Sequence, residues 1–90
     1  MNKAELVAVV AEKANMTKKD AERAINATVE AIQEALAKDD KVSLVGFGTF
    51  EVRRRAARKG RNPKTGEEIS IEATRVPAFR AGKGLKDVIK

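Results

Sequence analysis

The sequence predicts an α+β chain: an N-terminal helical hairpin, a three-stranded antiparallel sheet with a long protruding β-ribbon arm, and a short C-terminal helix. Three observations carry that prediction. Apolar residues recur at helical spacing through the first part of the chain, up to about Lys38. Beyond Lys41 the period shortens to two. Between two strand-like runs lies Arg53 to Gly66, RRRAARKGRNPKTG, with seven basic residues in fourteen and no acid. That stretch has no large apolar side chain, so it adds little to a core.

The hairpin spans about 3–38. Asn2 with Glu5 three residues on has the form of a capping box. Leu6, Val9, Val10 and Ala14 then follow at helical spacing, and Asn15 ends the first helix. Thr17 with Asp20 opens a second, whose apolar face is Ala21, Ile25, Val29, Ile32 and Leu36. So short a link folds the helices back on each other. The sheet occupies about 41–52 and 69–80. Val42 and Leu44 begin it, Gly46-Phe47-Gly48 turns the chain, and Thr49 to Val52 continues extended. Ile69, Ile71 and Ala73 alternate with Ser70, Glu72 and Thr74 as a half-buried strand that Pro77 is expected to end. Gly82 and Gly84 precede Leu85, Val88 and Ile89, one face of a closing helix at about 83–89. Ninety residues without an internal repeat or linker suggest one domain, 1–90.

The arm, about 53–68, leaves the sheet near Val52 and returns near Ile69. Pro63 and the glycines at 60 and 66 mark a reversal. A ribbon running from Arg53 to Arg61 projects ~26 Å at 3.3 Å per residue. A ribbon without a hydrophobic face is marginal by itself, so the arm is expected to be mobile and to order on binding. A charged run is often just a solvated loop. Seven cations that repel one another without a single carboxylate argue for a polyanionic partner instead.

Charge distribution points the same way. Residues 1–40 carry six basic and eight acidic side chains, net −2, whereas residues 41–90 carry thirteen and five, net +8. No apolar run approaches membrane-spanning length, and the N-terminus lacks the apolar core of a signal peptide. With no cysteine in the chain, a cytoplasmic protein whose polyanion is nucleic acid is the expectation. So small a body is marginal alone, and oligomerisation is the remaining way to enlarge its core. Phe47, Phe50 and Phe79 lie outside the arm, flanked by small or β-branched residues. They suit a core where two subunits pack better than a platform for stacked bases.

Catalysis finds no support. Histidine, cysteine, tyrosine and tryptophan are all absent, and Ser43 and Ser70 lack a base. Asp39-Asp40 is the nearest thing to a metal pair and reads as a solvated loop; no metal or cofactor is expected. Gly46-x-Gly48 lacks the third glycine of a dinucleotide loop, Glu51 standing in its place. Neither Gly60 nor Gly82 opens a phosphate loop ending in Gly-Lys and a hydroxyl residue. Gly82-Lys83-Gly84 at a helix start, with Lys86, is either a phosphate seat or an ordinary glycine-rich opening.

Gly46 to Ile69, GFGTFEVRRRAARKGRNPKTGEEI, followed by Pro77 to Lys86, PAFRAGKGLK, resembles the bacterial histone-like DNA-binding proteins of the HU family, relatives of integration host factor. The resemblance runs the full length. It implies an intertwined dimer, usually of identical chains, with a helical base, a saddle of sheets and two ribbons that wrap a duplex through the minor groove. It implies an architectural role: bending, wrapping and condensing double-stranded DNA with little sequence specificity, preferring bent or nicked sites, and protecting it from denaturation in the nucleoid.

By the same resemblance Pro63 matches the tip proline that wedges between base pairs. Arg55, Arg58 and Arg61 match arm residues that follow the groove, with Arg53 at the arm's base and Lys59, Asn62 and Lys64 completing the arm's DNA-binding set. Arg54 and Lys59 add charge to the arm. Arg80, Lys83 and Lys86 match saddle residues that meet phosphates, as Lys3 does farther out, and Gly46, Gly48 and Thr74 are grouped with them. Phe47, Phe50 and Phe79 match the aromatic cluster of the dimer core. The chemistry agrees: guanidinium on a slim ribbon suits the negative potential of a minor groove, and proline is a compact apolar wedge. Proline is also a plain turn former, and the roles coexist. Two alternatives stay open, a site-specific bender like integration host factor and a structural RNA-binding protein; RNA as an additional ligand is open too.

Overall fold

Asn2 opens α1 (Lys3–Lys13) as expected: its Oδ1 accepts the Glu5 N–H at 2.9 Å. Thr17 does the same for α2 (Lys18–Ala37), its Oγ1 accepting the Asp20 N–H at 3.1 Å. Both helices end alike. Asn15 and Asp39 take left-handed φ values of 53° and 60°. The N–H one residue further on reaches back five residues, Met16 to Ala11 O and Asp40 to Ala35 O, each at 2.9 Å. The structure, a computed structural model, describes all residues from Met1 to Lys90. It divides into two compact units, Met1–Glu34 and Ala35–Lys90.

In the first unit the helices meet through Val7, Ala11 and Ala21, with Val10, Met16 and Ile25 packed on them. The face of α1 is therefore shifted from the expected one. Val7 and Ala11 turn inward while Leu6 is 40% exposed and Ala14 is exposed.

The second unit is built on a sheet of order β1-β2-β5. β1 (Val42–Leu44) and β2 (Gly48–Arg55) form a hairpin closed by the Phe47 N–H on Leu44 O at 2.9 Å. Gly46 sits in that turn at φ 84°, a conformation that favours glycine. β5 (Thr74–Ala81) pairs with the whole of β2, from Gly48 opposite Ala81 to Arg55 opposite Thr74. Two expectations need correction here. Pro77 does not end a strand; it lies within β5, opposite Val52. β5 is an outer strand, where half the backbone donors face away from the sheet and a missing one is tolerated. The sheet also runs to Arg55 rather than Val52, and resumes at Thr74 rather than Ile69.

Pairing lapses at Ala56-Ala57 and Glu72-Ala73, then resumes as a separate two-stranded ribbon. There β3 (Arg58–Arg61) pairs with β4 (Glu68–Ile71), Arg58 opposite Ile71 and Arg61 opposite Glu68. Ile69 and Ile71 lie over Gly60, where a Cβ would stand 3.1 Å from Ile71 Cδ1. The ribbon thus has a small apolar face, supplied by its return strand. α3 (Lys83–Val88) closes the chain. The Gly82 N–H donates to Phe47 O at 2.8 Å and the Leu85 N–H to Gly46 O at 3.0 Å, which binds the β1–β2 turn to the start of α3.

Candidate nucleic-acid interface

The ribbon tip is shaped by Asn62. Its Oδ1 accepts the Lys64 N–H at 2.9 Å, and its carbonyl accepts the Gly66 N–H at 2.7 Å. Gly66 is at φ 73°. This side-chain turn leaves Pro63 exposed on the outside of the reversal. Behind it Arg61, Lys64, Arg58 and Arg55 are exposed and form no ion pair. Lys59 stands 4.0 Å from Glu68, both well exposed, a pair of little strength. The slim ribbon therefore carries free guanidinium groups along its length and an apolar ring at its end.

Alternation along β2 and β5 sorts the sheet's two faces. Thr49, Glu51, Arg53 and Arg55 share one with Thr74, Val76, Ala78 and Arg80, their register partners. Phe50 and Val52 share the other with Phe79 and Pro77. The cationic face has an unforeseen centre. The Glu51 side chain is only 12% exposed, with Arg53 Nη2 at 3.5 Å and Lys41 Nζ and Arg80 Nη2 each at 3.9 Å. Two cations expected to meet DNA, Arg53 and Arg80, are thus gathered round one carboxylate. Period-two reading places Glu51 between Thr49 and Arg53 on that face, a signal that was there to be used.

On the apolar face the three phenylalanines cluster. Phe79 lies 4.8 Å from Phe50 and 5.5 Å from Phe47, centroid to centroid, in tilted pairs. Phe47 and Phe79 nonetheless keep 46% and 40% of their surface exposed. Gly48 belongs to this cluster: a Cβ there would come within 2.4 Å of the Phe79 ring. Packing accounts for Gly48 without a phosphate. At the start of α3, carbonyls of the β1–β2 turn already hold the Gly82 and Leu85 N–H groups. Lys83 and Lys86 remain exposed and unpaired beside it. Lys3, in the other unit, is exposed on the first turn of α1.

Arg54 and Asp39 depart further from expectation. Asp39 is ion-paired as well as partly solvated, and Arg54 is tied to it rather than free. Arg54 Nη2 lies 2.6 Å from Asp39 Oδ2, and Arg75 Nη2 lies 2.9 Å from Asp39 Oδ1. Arg75 belonged to no expected site. No group of three or more His, Cys, Asp or Glu side chains is placed to hold a metal ion, and no helix is long and apolar enough to cross a membrane.

A family described as bacterial DNA-binding proteins matches the chain over residues 1–90. The chain belongs to this family. Its similarity to HU proteins within the family is high. It is 62% identical to DNA-binding protein HU of Staphylococcus aureus over 90 residues, all of both chains. A structure of Anabaena HU cocrystallised with DNA superposes with a TM-score of 0.89 at 58% identity, covering 99% of this chain and 97% of that one. Thermotoga maritima HU superposes with a TM-score of 0.73 at 40% identity over the whole of both chains. The HU fold thus includes the helices, sheet, extended arm and closing helix read from this sequence.

Proposed function

We propose that this chain is an architectural protein of double-stranded DNA, acting through residues 1–90 as one binding domain. The exposed ribbon carries the reading: Arg55, Arg58, Arg61 and Lys64 form no ion pair, and Pro63 stands at the tip. Kinship with a protein crystallised on DNA supports it. The ribbon follows the minor groove, where arginine meets concentrated negative potential and where base edges offer a degenerate code. Pro63 inserts at a base step and kinks the duplex at a cost of a few kcal/mol of unstacking. Nicked or flexible DNA lowers that cost and is preferred. Arg53, Arg80, Lys83, Lys86, Thr74 and Lys3 hold phosphates, so binding is strongly salt-dependent and indifferent to sequence. The outcome is bending, wrapping and condensation of DNA in the cytoplasmic nucleoid, and resistance to its denaturation.

The working unit is a homodimer. Only Val7, Ala11 and Ala21 bury apolar side chains in the single chain, while Leu6, Val29, Leu44, Phe47 and Phe79 each expose at least 40% of their surface. Such a chain lacks a core of its own, and a second copy is the partner always at hand. The deciding experiment is a competition titration at several salt concentrations, with intact duplex, nicked duplex and matched duplex RNA. Tightest binding to nicked DNA with a steep salt slope is expected. Equal binding to all three overturns the reading, because the groove-and-wedge mode depends on B-form shape. Strong preference for one DNA sequence would instead favour a site-specific bender.

A further inference from the structure

Arg54 and Arg75 face each other across the last turns of the β2–β5 ladder, just before pairing lapses. Two like charges directly opposite on one sheet face repel. They lie on the face of Phe50 and Val52, opposite the one that carries Arg53 and Arg55. Asp39 resolves the conflict. One carboxylate oxygen accepts from Arg54 Nη2 at 2.6 Å, and the other accepts from Arg75 Nε at 3.1 Å and lies 2.9 Å from its Nη2. Arg75 Nη2 also donates to the carbonyls of Leu36 and Ala37 at 3.2 and 3.1 Å, on the last turn of α2. Those carbonyls are the negative end of the helix, so the guanidinium is attracted as well as hydrogen-bonded. Asp39 itself sits at φ 60°, where glycine is the residue least strained.

We propose that Asp39 is a positioning residue for DNA binding, which clamps the root of the ribbon and keeps Arg54 off the duplex. It rests on the reading of the chain as a duplex-binding protein, and it goes beyond that reading by dividing the arm's cations into two sets. Arg53, Arg55, Arg58, Arg61, Lys59 and Lys64 are offered to DNA. Arg54 is tied to the sheet and fixes where the ribbon leaves it. The ladder ends at Arg55 and Thr74, so the clamp sits one pair inside the break in strand pairing, where it can set direction.

The test compares Asp39→Asn with Asp40→Asn in the full-length protein. Asparagine keeps the shape and tolerates left-handed φ, but loses the charge. Asp40 forms no ion pair, so its variant makes the same change in net charge without touching the clamp. In duplex binding, Asp39→Asn should steepen the salt slope by about one per chain as Arg54 finds a phosphate. Asp40→Asn and Arg54→Gln should leave the slope as it is, and Asp39→Asn with Arg54→Gln should restore it. Free of DNA, amide exchange at Arg54, Arg55 and Arg75 should quicken several-fold in Asp39→Asn, with or without Arg54→Gln, and stay as it is in Asp40→Asn. Equal slopes for the two aspartate variants, a double variant as steep as Asp39→Asn, or unchanged exchange each overturn the proposal. Failure of the wild type to bind duplex overturns the functional reading instead, and the exchange measurement still decides the clamp.

Discussion

Glu51 shows how one residue can set the strength of a whole face. It holds Arg53, Lys41 and Arg80 within 3.9 Å, and each of those cations is at least 60% exposed. A phosphate approaching this face competes with the carboxylate. Glu51→Gln should therefore tighten binding to any duplex by roughly twofold to fivefold per chain, the scale of half-exposed ion pairs. Titration at two salt concentrations checks this, and weaker binding would mean that Glu51 aims the arginines rather than occupying them. Pro63→Ala should reduce bending more than affinity, because phosphate contacts supply most of the binding. An unchanged bend in an energy-transfer assay removes the wedge. Residues whose partners are near in the chain were legible: Asn2 and Thr17 cap amides three positions on. Asp39 was not, since its partners lie 15 and 36 residues away and only the fold brings them together.

At the scale of elements the ribbon divides in two. Its root is the long β2–β5 ladder, and its outer part is the four-pair β3–β4 ladder beyond the break. Isolated two-stranded ribbons are marginal, so β3–β4 amides should exchange well before those of β2–β5, with DNA restoring their protection. Uniform protection along the arm would contradict that. Arg58→Ala should weaken binding to all sequences alike and lower the salt slope by about one. A sequence-selective loss would reveal base reading. Turn chemistry and charge made the arm evident in the sequence. The break did not show, because Ala56-Ala57 and Glu72-Ala73 contain neither proline nor glycine. Pro77 misled for the opposite reason: a breaker by rule, it is accommodated on an outer strand.

The whole molecule is defined as much by what it leaves uncovered. Phe47→Ala should cost the proposed homodimer about 3–5 kcal/mol if the partner buries the ring, read as a higher dissociation midpoint in sedimentation. A dimer left intact with DNA binding lost would place the aromatics at the wrong surface. Fold class and helix count were legible because spacing and composition encode them, and the clustering of three phenylalanines because the chain resembles a family that has it. How the chain completes its core was legible only as a shortage of buried side chains, now seen in three small or medium residues. The sheet's margins carry a last consequence. Its outer strands are β1, three residues long, and β5, which lacks a backbone donor at Pro77. Neither offers a stranger's chain a long unbroken row of backbone donors and acceptors. Such blunt margins leave copies that meet side by side little free backbone through which to zip into fibrils.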